Sequence, residues 1–396
     1  MPRGCPSPAV TMRGPSWLHP SGPAPPRGGR TGCRGGSRAG CLRRLSGPPG
    51  EMSTMTSPAQ RIADLRRQGY LPRDESVASV TDRLAQPGSS DHARVLHAQV
   101  TGGFAVDVLP ARGLDIGAAS VAGHPLAWTS PVADARTLDR AVGEAWIDRF
   151  TGGLLATCGL ANFGPARDAS ATGLGVHGDV HHLPARNVRA TPSRGLPEVV
   201  VEGDVERSTV FGPSVRIERR ITNGLDAQGR PQLEVADRIV NTSSLPAPVA
   251  ALYHVNLGAP LVLPGTTVDV DARESPLREP CPQVPSHAVL PEACEEVTEA
   301  VFEHVGVGVD ADGLARARVT SPDGLGIEVS WSAATLPRLY QWVLPSRGRW
   351  ALGIEPASAP LFGPDRAGEH AGAPLLAPGE TREHLLRLTV VSLPRG

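Results

Sequence analysis

Alternation of apolar and polar residues with a period of two is the feature that most restricts how this chain can fold. It is clearest in SVRIERRIT (214–222), QLEVADRIV (232–240), LGIEVSW (325–331) and HLLRLTVVSL (384–393). Successive side chains of a β-strand point to opposite faces, so this period is typical of half-buried strands. The chain also contains 45 Gly and 40 Pro residues, which interrupt helices and favour turns. The sequence therefore predicts an all-β protein, a large antiparallel β-sandwich with one short helix near 57–68.

The first fifty residues differ from the rest because they are rich in Gly, Pro, Ser and Arg and contain no Asp or Glu. Such a segment buries too little apolar surface to fold. We therefore expect residues 1–51 to be a disordered leader, or sequence upstream of the true start, for which Met52 is a better candidate. Residues 52–396 are expected to form one β-sandwich domain, since neither a fixed repeat nor a Pro/Ser/Gly-rich linker divides them. The segment 272–300 is expected to be an irregular insertion or lid-like loop.

Charge and cysteine usage exclude several classes of protein. The 39 basic and 40 acidic residues nearly cancel, so the chain lacks the basic surface expected of a nucleic-acid-binding protein. Every basic side chain is an arginine, which excludes a lysine Schiff base and a P-loop lysine. The cysteines outside the leader have no CxxC spacing, and no apolar run approaches the ~20 residues that span a bilayer. We therefore expect a cytoplasmic protein that binds neither nucleic acid nor membranes.

Candidate functional residues lie in four segments, each with an ionisable side chain among apolar or Gly neighbours. The segments and side chains are VLPARGLDIGAA with Arg112, GVHGDVHHLPA with His177, ALYHVNLGAP with His254, and WALGIEPAS with Glu355. A charge buried alone costs several kcal/mol, so each must be paired or must face a cleft. Taken one at a time, they are also explained as a turn arginine, a core histidine or a strand-end glutamate.

The three histidines of GVHGDVHHLPA raise the alternative of a metal site. On an extended strand His177 and His181 would share a face but lie about 13 Å apart, too far for one ion. A turn at Gly178–Asp179 would bring them together, and a further ligand would then have to come from His254 or Glu355. Because the chain lacks CxxC and HxH spacing, we expect no metal.

The order of these residues, with the segments around them, resembles the aldose 1-epimerase (galactose mutarotase-like) superfamily, and within it a divergent branch that includes deoxyribose-type mutarotases. The segments are ARGLDI, FTGGLLATCGLANFG, GVHGDVHHLPA, LYHVNLGAPL, LPRLYQWV and LGIEP. They extend from roughly residue 100 to 390. The resemblance implies a β-supersandwich with an open cleft on one concave sheet. It also implies interconversion of the α and β anomers of a free aldose by acid and base catalysis, without a metal or organic cofactor.

The resemblance assigns a role to each of the four candidates. Glu355 matches the catalytic base and His254 the general acid, while His177 and Arg112 match substrate-binding residues. In familiar members the acid histidine precedes an Asn-Leu pair by four residues, whereas His254 precedes Asn256 by two. A shift of two preserves the face of a strand, although it makes His177 a rival for the role of acid.

Further residues are candidates for contacts with the sugar. The binding aspartate of the superfamily has no clear counterpart, and Asp179 or the amide of Gln341 are the candidates to replace it. The ring of Trp342 is a candidate platform for one face of a sugar. His181 is a candidate for a second contact, and His182 is expected to be structural or solvent-facing.

The function that we expect is that of a cofactor-free aldose mutarotase, and its partner is a small free aldose. Two alternatives stay open. The first is a non-catalytic carbohydrate-binding protein on the same fold, and the second is a metal-dependent sugar isomerase.

Overall fold

The computed structural model describes residues 58–84, 94–133, 136–139, 141–167, 174–368 and 370–394. The leader predicted at 1–51 lies outside the described residues. The short helix predicted near 57–68 is confirmed at Pro58–Arg67 (α1), where proline occupies the first position and Ile62 is the buried side chain. No helix within the described ranges is long and apolar enough to cross a membrane.

Strands make up much of the described chain. Their bounds are Ala78–Leu84 (β1), Arg94–Val100 (β2), Phe104–Leu109 (β3), Asp115–Val121 (β4), His124–Pro125 (β5), Leu155–Cys158 (β6), Ala185–Pro192 (β7), Val199–Arg207 (β8), Val215–Leu225 (β9), Pro231–Asn241 (β10), Ala247–Pro248 (β11), Leu252–Leu257 (β12), Thr267–Val270 (β13), Ala300–His304 (β14), Leu314–Thr320 (β15), Gly326–Ser332 (β16), Arg338–Leu344 (β17), Ala351–Ala357 (β18), Leu375–Leu376 (β19) and Thr381–Ser392 (β20). Short 3-10 helices lie at Asp74–Ser76, Ile147–Arg149, Val180–His182 and Pro364–Ala367. The four segments with a period of two coincide with β9, β10, β16 and β20, which confirms that they are strands.

Most of these strands form two large antiparallel sheets, while β11 and β19 pair with each other in a separate two-stranded sheet. Among the described residues, the first sheet has the order β1-β2-β3-β4-β6-β12-β18-β17-β14, and β5 pairs with β4 beside this path. The second sheet has the order β13-β15-β16-β20-β10-β9-β8-β7. Within both sheets the paired strands are antiparallel. The predicted antiparallel β-sandwich is therefore confirmed.

A single large apolar core lies between the two sheets. The alternation of β9 places Val215, Ile217 and Ile221 in this core. Arg219 shares their face, as the period of two predicts, and it is fully buried. A buried guanidinium requires partners of opposite charge, and these lie on strands of both sheets.

A second apolar cluster covers the other face of the first sheet, over β6, β12, β17 and β18. On β12, Tyr253 belongs to the core between the sheets and Leu252 to this second cluster. On β18, Ile354 belongs to the core. Because side chains alternate along a strand, His254 and Glu355 both point into the second cluster. The two candidate catalytic residues thus share one face of one sheet.

The segment predicted to be an irregular insertion connects β13 to β14 and contains no named strand or helix. It lies along the edge strand β14, where the backbone N–H of Arg278 donates to the carbonyl of Val301 at 2.8 Å. An isolated bridge pairs Leu277 with Phe302. The insertion is therefore packed against the edge of the first sheet. It carries Arg278 and Glu299, whose charges act on Glu355.

Candidate active site

Two central strands of the first sheet hold a buried imidazole and a buried carboxyl group side by side. Strands β12 and β18 are paired so that Val255 faces Ile354, a register that puts His254 opposite Glu355. The Nε2 atom of His254 lies 3.3 Å from Oε1 of Glu355. The two residues are 5% and 2% exposed. The pair expected from the resemblance is therefore brought together by strand register.

Gly353 provides the space in which the Glu355 carboxyl group lies. A Cβ atom at this position would approach Glu355 Oε1 to 2.5 Å and His254 Cε1 to 3.3 Å. It would also approach the Cβ atom of Trp342 to 3.1 Å, on the neighbouring strand. The glycine of LGIEP is thus part of the site, although sequence reasoning singled out only the glutamate.

Burial favours the uncharged form of both members of the pair. It raises the pKa of Glu355 to about 8, and the nearby carboxylate of Glu299 adds to the rise. Burial also lowers the pKa of His254 well below its ordinary value, with His177 adding to the effect. At neutral pH the pair therefore holds one proton, carried by the carboxyl group, and the imidazole is a free base.

The loop that carries His177 is a tight turn. His177 has φ 55° and Gly178 has φ 72°, and the turn continues into the 3-10 helix Val180–His182. A Cβ atom on Gly178 would collide with the carbonyl oxygens of Gly159 and Asn162. The His177 ring lies 5.7 Å from that of His254, and burial lowers its pKa to about 4. The turn thus directs His177 toward the pair.

Arg112 reaches the site through a hydrogen bond to His181. Its Nη1 atom lies 3.0 Å from Nε2 of His181, and Nδ1 of His181 lies 2.7 Å from a carboxylate oxygen of Asp115. All three side chains are buried. The sequence predicted Arg112 and His181 as contacts but missed Asp115. The available signal for Asp115 was its position in ARGLDI, where an ionisable residue stands at the start of an apolar strand.

Aromatic rings surround the His254–Glu355 pair. Between ring centroids, the distance from His254 is 5.7 Å to Phe150 and 5.5 Å to Trp342. The centroid of the Trp146 ring lies 4.6 Å from that of His177. Trp146 and Phe150 flank the short helix Ile147–Arg149, and their rings pack against the side chains of His177 and His254. Of these rings, only Trp342 was predicted. The others follow no strand periodicity, which is why the sequence did not identify them.

Several buried polar atoms near the pair have no hydrogen-bond partner within the described part of the structure. They are Oε1 of Glu355, Nδ1 of His254, Nδ1 of His177, Oδ1 of Asn256 and Nε1 of Trp146. Buried polar groups are normally hydrogen-bonded, and each exception has a cost of about 1–3 kcal/mol. A bound molecule with several hydroxyl groups could pair these atoms, since a hydroxyl both donates and accepts.

A cavity of about 310 Å³ adjoins the site on the side of β3 and β4. Arg112 and Trp128 line it, together with several Gly and Ala residues. Trp128 also packs against Phe150 and Trp342, with ring centroids 5.5 Å and 5.6 Å apart. The cavity is therefore next to the aromatic cluster and has the size of a small-molecule site.

Two residues predicted to bind the sugar are not brought into this site. The single N–H of Arg207 Nε donates to both carboxylate oxygens of Asp179, at 3.0 Å and 3.1 Å, and so ties the turn to β8. Gln341 lies on the core side of β17, where it donates to the carbonyl of His287 and contacts His304. Asp179 points away from the site because of the turn that carries it, and Gln341 because its side chain lies on the core face of β17. The motifs revealed neither arrangement.

The structure also gives the position of His182 and bears on the alternative of a metal site. His182 is buried, with Nδ1 facing the backbone N–H of Leu138 at 3.4 Å, and so has a structural position. In the described ranges, no three His, Cys, Asp or Glu side chains are grouped closely enough to hold a metal ion.

Comparison with solved structures supports the fold. The chain resembles a candidate aldose 1-epimerase from Klebsiella pneumoniae, with a TM-score of 0.69 and 19% identity over 79% of this chain and 83% of that one. It also resembles a galactose mutarotase-like protein from Clostridium acetobutylicum, with a TM-score of 0.55 and 13% identity over 80% of this chain and 100% of that one. At such identities the likeness concerns the fold and not the activity.

Comparison of sequences gives the family. No curated protein matches the sequence. Residues 90–390 match the family described as Domain of unknown function (DUF4432). This range contains all of the candidate site residues. The chain belongs to the DUF4432 family and has the galactose mutarotase-like fold.

Proposed function

We propose that the protein is an aldose 1-epimerase, which interconverts the α and β anomers of a small free sugar. The observation that carries this proposal is the buried His254–Glu355 pair, whose facing atoms are 3.3 Å apart. Burial raises the pKa of Glu355 and lowers that of His254, which favours a single proton on the pair at neutral pH. Mutarotation needs one group that gives a proton and one that takes a proton at the same anomeric centre. A protonated Glu355 beside a neutral His254 supplies both.

In the proposed mechanism the pair moves two protons in opposite directions. His254 takes the proton of the anomeric hydroxyl O1 while Glu355 gives its proton to the ring oxygen O5, and the C1–O5 bond breaks to leave an open-chain aldehyde. Rotation about the C1–C2 bond presents the other face of the aldehyde. Closure then reverses both transfers, so O1 regains its proton from His254 and Glu355 regains its proton from O5. Arg112 and His177 hold the sugar hydroxyls.

These roles differ from those implied by the resemblance, in which Glu355 is the base and His254 the acid. Both versions use a pair with a single proton, and they differ only in which member carries it. Burial favours two uncharged groups over a carboxylate beside an imidazolium, so we assign the proton to Glu355 in the free protein. The same pair acts in the opposite sense during ring closure.

The proposal predicts faster anomer exchange, measured by saturation-transfer NMR or polarimetry on fresh α-glucose, α-galactose and 2-deoxyribose. Glu355→Gln should reduce the rate of anomer exchange by a factor of roughly 100 or more, because general acid and base catalysis typically increases a rate by at least that factor. Glu328→Gln is the matched control, since Glu328 is nearly as buried but is paired with Arg316 and Arg318 on the second sheet. Equal acceleration by wild type and Glu355→Gln would refute the assignment.

A non-catalytic carbohydrate-binding protein is the second candidate function. The cover of Trp146 and Phe150 over the pair favours it, since Glu355 is only 2% exposed. It predicts that one of the same sugars raises the melting temperature without any acceleration of anomer exchange. Thermal unfolding with and without sugar, run beside the exchange assay, separates the two functions.

A further inference from the structure

His181 lies between a buried carboxylate and a buried guanidinium, and its hydrogen bonds fix its tautomer. Arginine has only donors, so the contact between Arg112 Nη1 and His181 Nε2, at 3.0 Å, requires Nε2 to be the acceptor. The other ring nitrogen, Nδ1, then carries the proton and donates to Asp115 at 2.7 Å. His181 is therefore a neutral imidazole with both nitrogens engaged.

Asp115 is itself held rigidly from three directions. The backbone N–H of Thr157 donates to one carboxylate oxygen at 2.8 Å, and the Thr157 hydroxyl donates to the other at 2.6 Å. Nη1 of Arg219 donates to that second oxygen as well, also at 2.6 Å. A carboxylate with this many donors is fixed in orientation and remains ionised. It is thus a firm acceptor for the His181 N–H.

The charges around His181 also favour its neutral form. Arg219 bridges Asp115 and Asp237, with nitrogen to oxygen distances of 2.6 Å and 2.7 Å. With Arg112, this buried group holds two positive and two negative charges, so a proton added to His181 would leave an excess positive charge. Burial lowers the pKa of His181 in the same direction. His181 is poorly suited to give a proton to a substrate.

We propose that His181 is a positioning residue, which accepts a hydrogen bond from Arg112 and fixes its guanidinium at the sugar-binding site, with Asp115 fixing His181 in turn. The adjacent His182 provides a contrast. Its Nδ1 atom faces the backbone N–H of Leu138 at 3.4 Å and accepts from it, so His182 is the opposite tautomer. The proposal rests on the proposed function only in naming Arg112 as a sugar-binding residue.

The first test is independent of activity and of any sugar. In protein with ¹⁵N-labelled histidine, two-bond ¹H–¹⁵N correlation spectra at pH 7 should show His181 protonated at Nδ1 alone and His182 at Nε2 alone. The variants His181→Asn and His182→Asn assign the two signals. A doubly protonated His181, or one protonated at Nε2, would overturn the proposal.

The second test is a double-mutant cycle between His181 and Arg112. His181→Asn keeps a donor toward Asp115, but its shorter side chain places no acceptor at the position of Nε2, where Arg112 donates. It should raise KM for anomer exchange roughly tenfold and change kcat less than about twofold, the result expected for loss of substrate binding alone. In the Arg112→Met background the same substitution should change KM less than about twofold. His182→Asn, the matched control, should leave KM and kcat unchanged.

The outcomes separate this proposal from the proposed function. An equal penalty for His181→Asn in both backgrounds would show that His181 does not act through Arg112. A fall in kcat with unchanged KM would show that it takes part in proton transfer, and either result overturns the proposal. If the wild-type protein fails to accelerate exchange, the proposed function is wrong, while the tautomer measurement still decides the state of His181.

Discussion

Among single residues, Glu355 combines a proposed role in catalysis with a cost to the stability of the fold as pH rises. Burial raises its pKa to about 8, whereas in the unfolded chain a glutamate ionises near pH ~4.3. Between these two values the folded protein keeps a proton that the unfolded chain has lost. The stabilisation from the uncharged carboxyl group is therefore complete at low pH and is lost as pH rises toward 8.

We predict that Glu355→Gln stabilises the protein increasingly as pH rises, because glutamine has no charge to bury. Between about pH 6.5 and 8, the free energy of unfolding of the wild type should fall by up to about 1.4 kcal/mol per pH unit, and this component should be absent in the variant. Urea unfolding across this range measures the difference, with Glu328→Gln as control. Parallel curves for wild type and Glu355→Gln would mean that Glu355 titrates alike in both states.

At the scale of elements, β12 illustrates what can be predicted from sequence. The spacing of two between His254 and Asn256 predicted that both side chains share a face, and the alternation of core residues along β12 agrees. The Asn256 amide donates to the backbone carbonyl of His254 at 3.0 Å and to that of Gly153 at 3.1 Å. Strand periodicity is local, so face and burial are readable from the residues of the strand alone.

The turn around His177 and the position of Asp115 illustrate what the sequence did not predict. The motif left both an extended strand and a turn open, and contacts with Gly159 and Asn162, from an earlier segment, hold the turn. The partners of Asp115 come from β6, β9 and the loop of His181. Such arrangements depend on contacts between distant segments, and one sequence carries no record of which segments meet.

We predict that Gly178→Ala destabilises the protein and removes anomer exchange, because the turn that directs His177 cannot accept a Cβ atom. Gly102→Ala is a matched control, since Gly102 has φ 72° as well but has no atom within 4 Å of the added Cβ. The control should lose about 1 kcal/mol from backbone strain, and Gly178→Ala should lose a further ~1–3 kcal/mol. Urea unfolding of both variants gives the comparison. Equal losses would show that the turn yields without cost.

Across the whole molecule, a chain of buried polar groups crosses the apolar core and joins the two sheets. Arg219 of the second sheet bonds to Asp115 of the first and to Asp237 beside it. Tyr253 of the first sheet donates to Asp237 at 2.6 Å and lies 3.2 Å from His384 Nδ1. Removing one charge from such a group commonly costs about 3–5 kcal/mol. The orientation of the site therefore depends on how the two sheets pack.

Buried histidines give the molecule a shared sensitivity to acid. Among the described residues, six have a pKa lowered by burial: His177, His181, His182, His254, His304 and His384. In the unfolded chain a histidine takes up a proton near pH ~6.5. Each of the six then contributes stability that is complete above that pH and is lost as pH falls toward its folded pKa. The single proton held by Glu355 opposes this dependence but is outnumbered.

We predict that the free energy of unfolding falls steeply between about pH 6.5 and 5, with each buried histidine contributing up to about 1.4 kcal/mol per pH unit. Urea unfolding at a series of pH values gives the slope of the free energy of unfolding against pH. This slope yields the number of protons taken up on unfolding. His384→Gln, which keeps a polar group beside Tyr253, should reduce that number by about one, because burial lowers the pKa of His384 to about 4. A flat dependence would mean that these imidazoles take up protons alike in the folded and unfolded states, which would contradict the lowered pKa of His254.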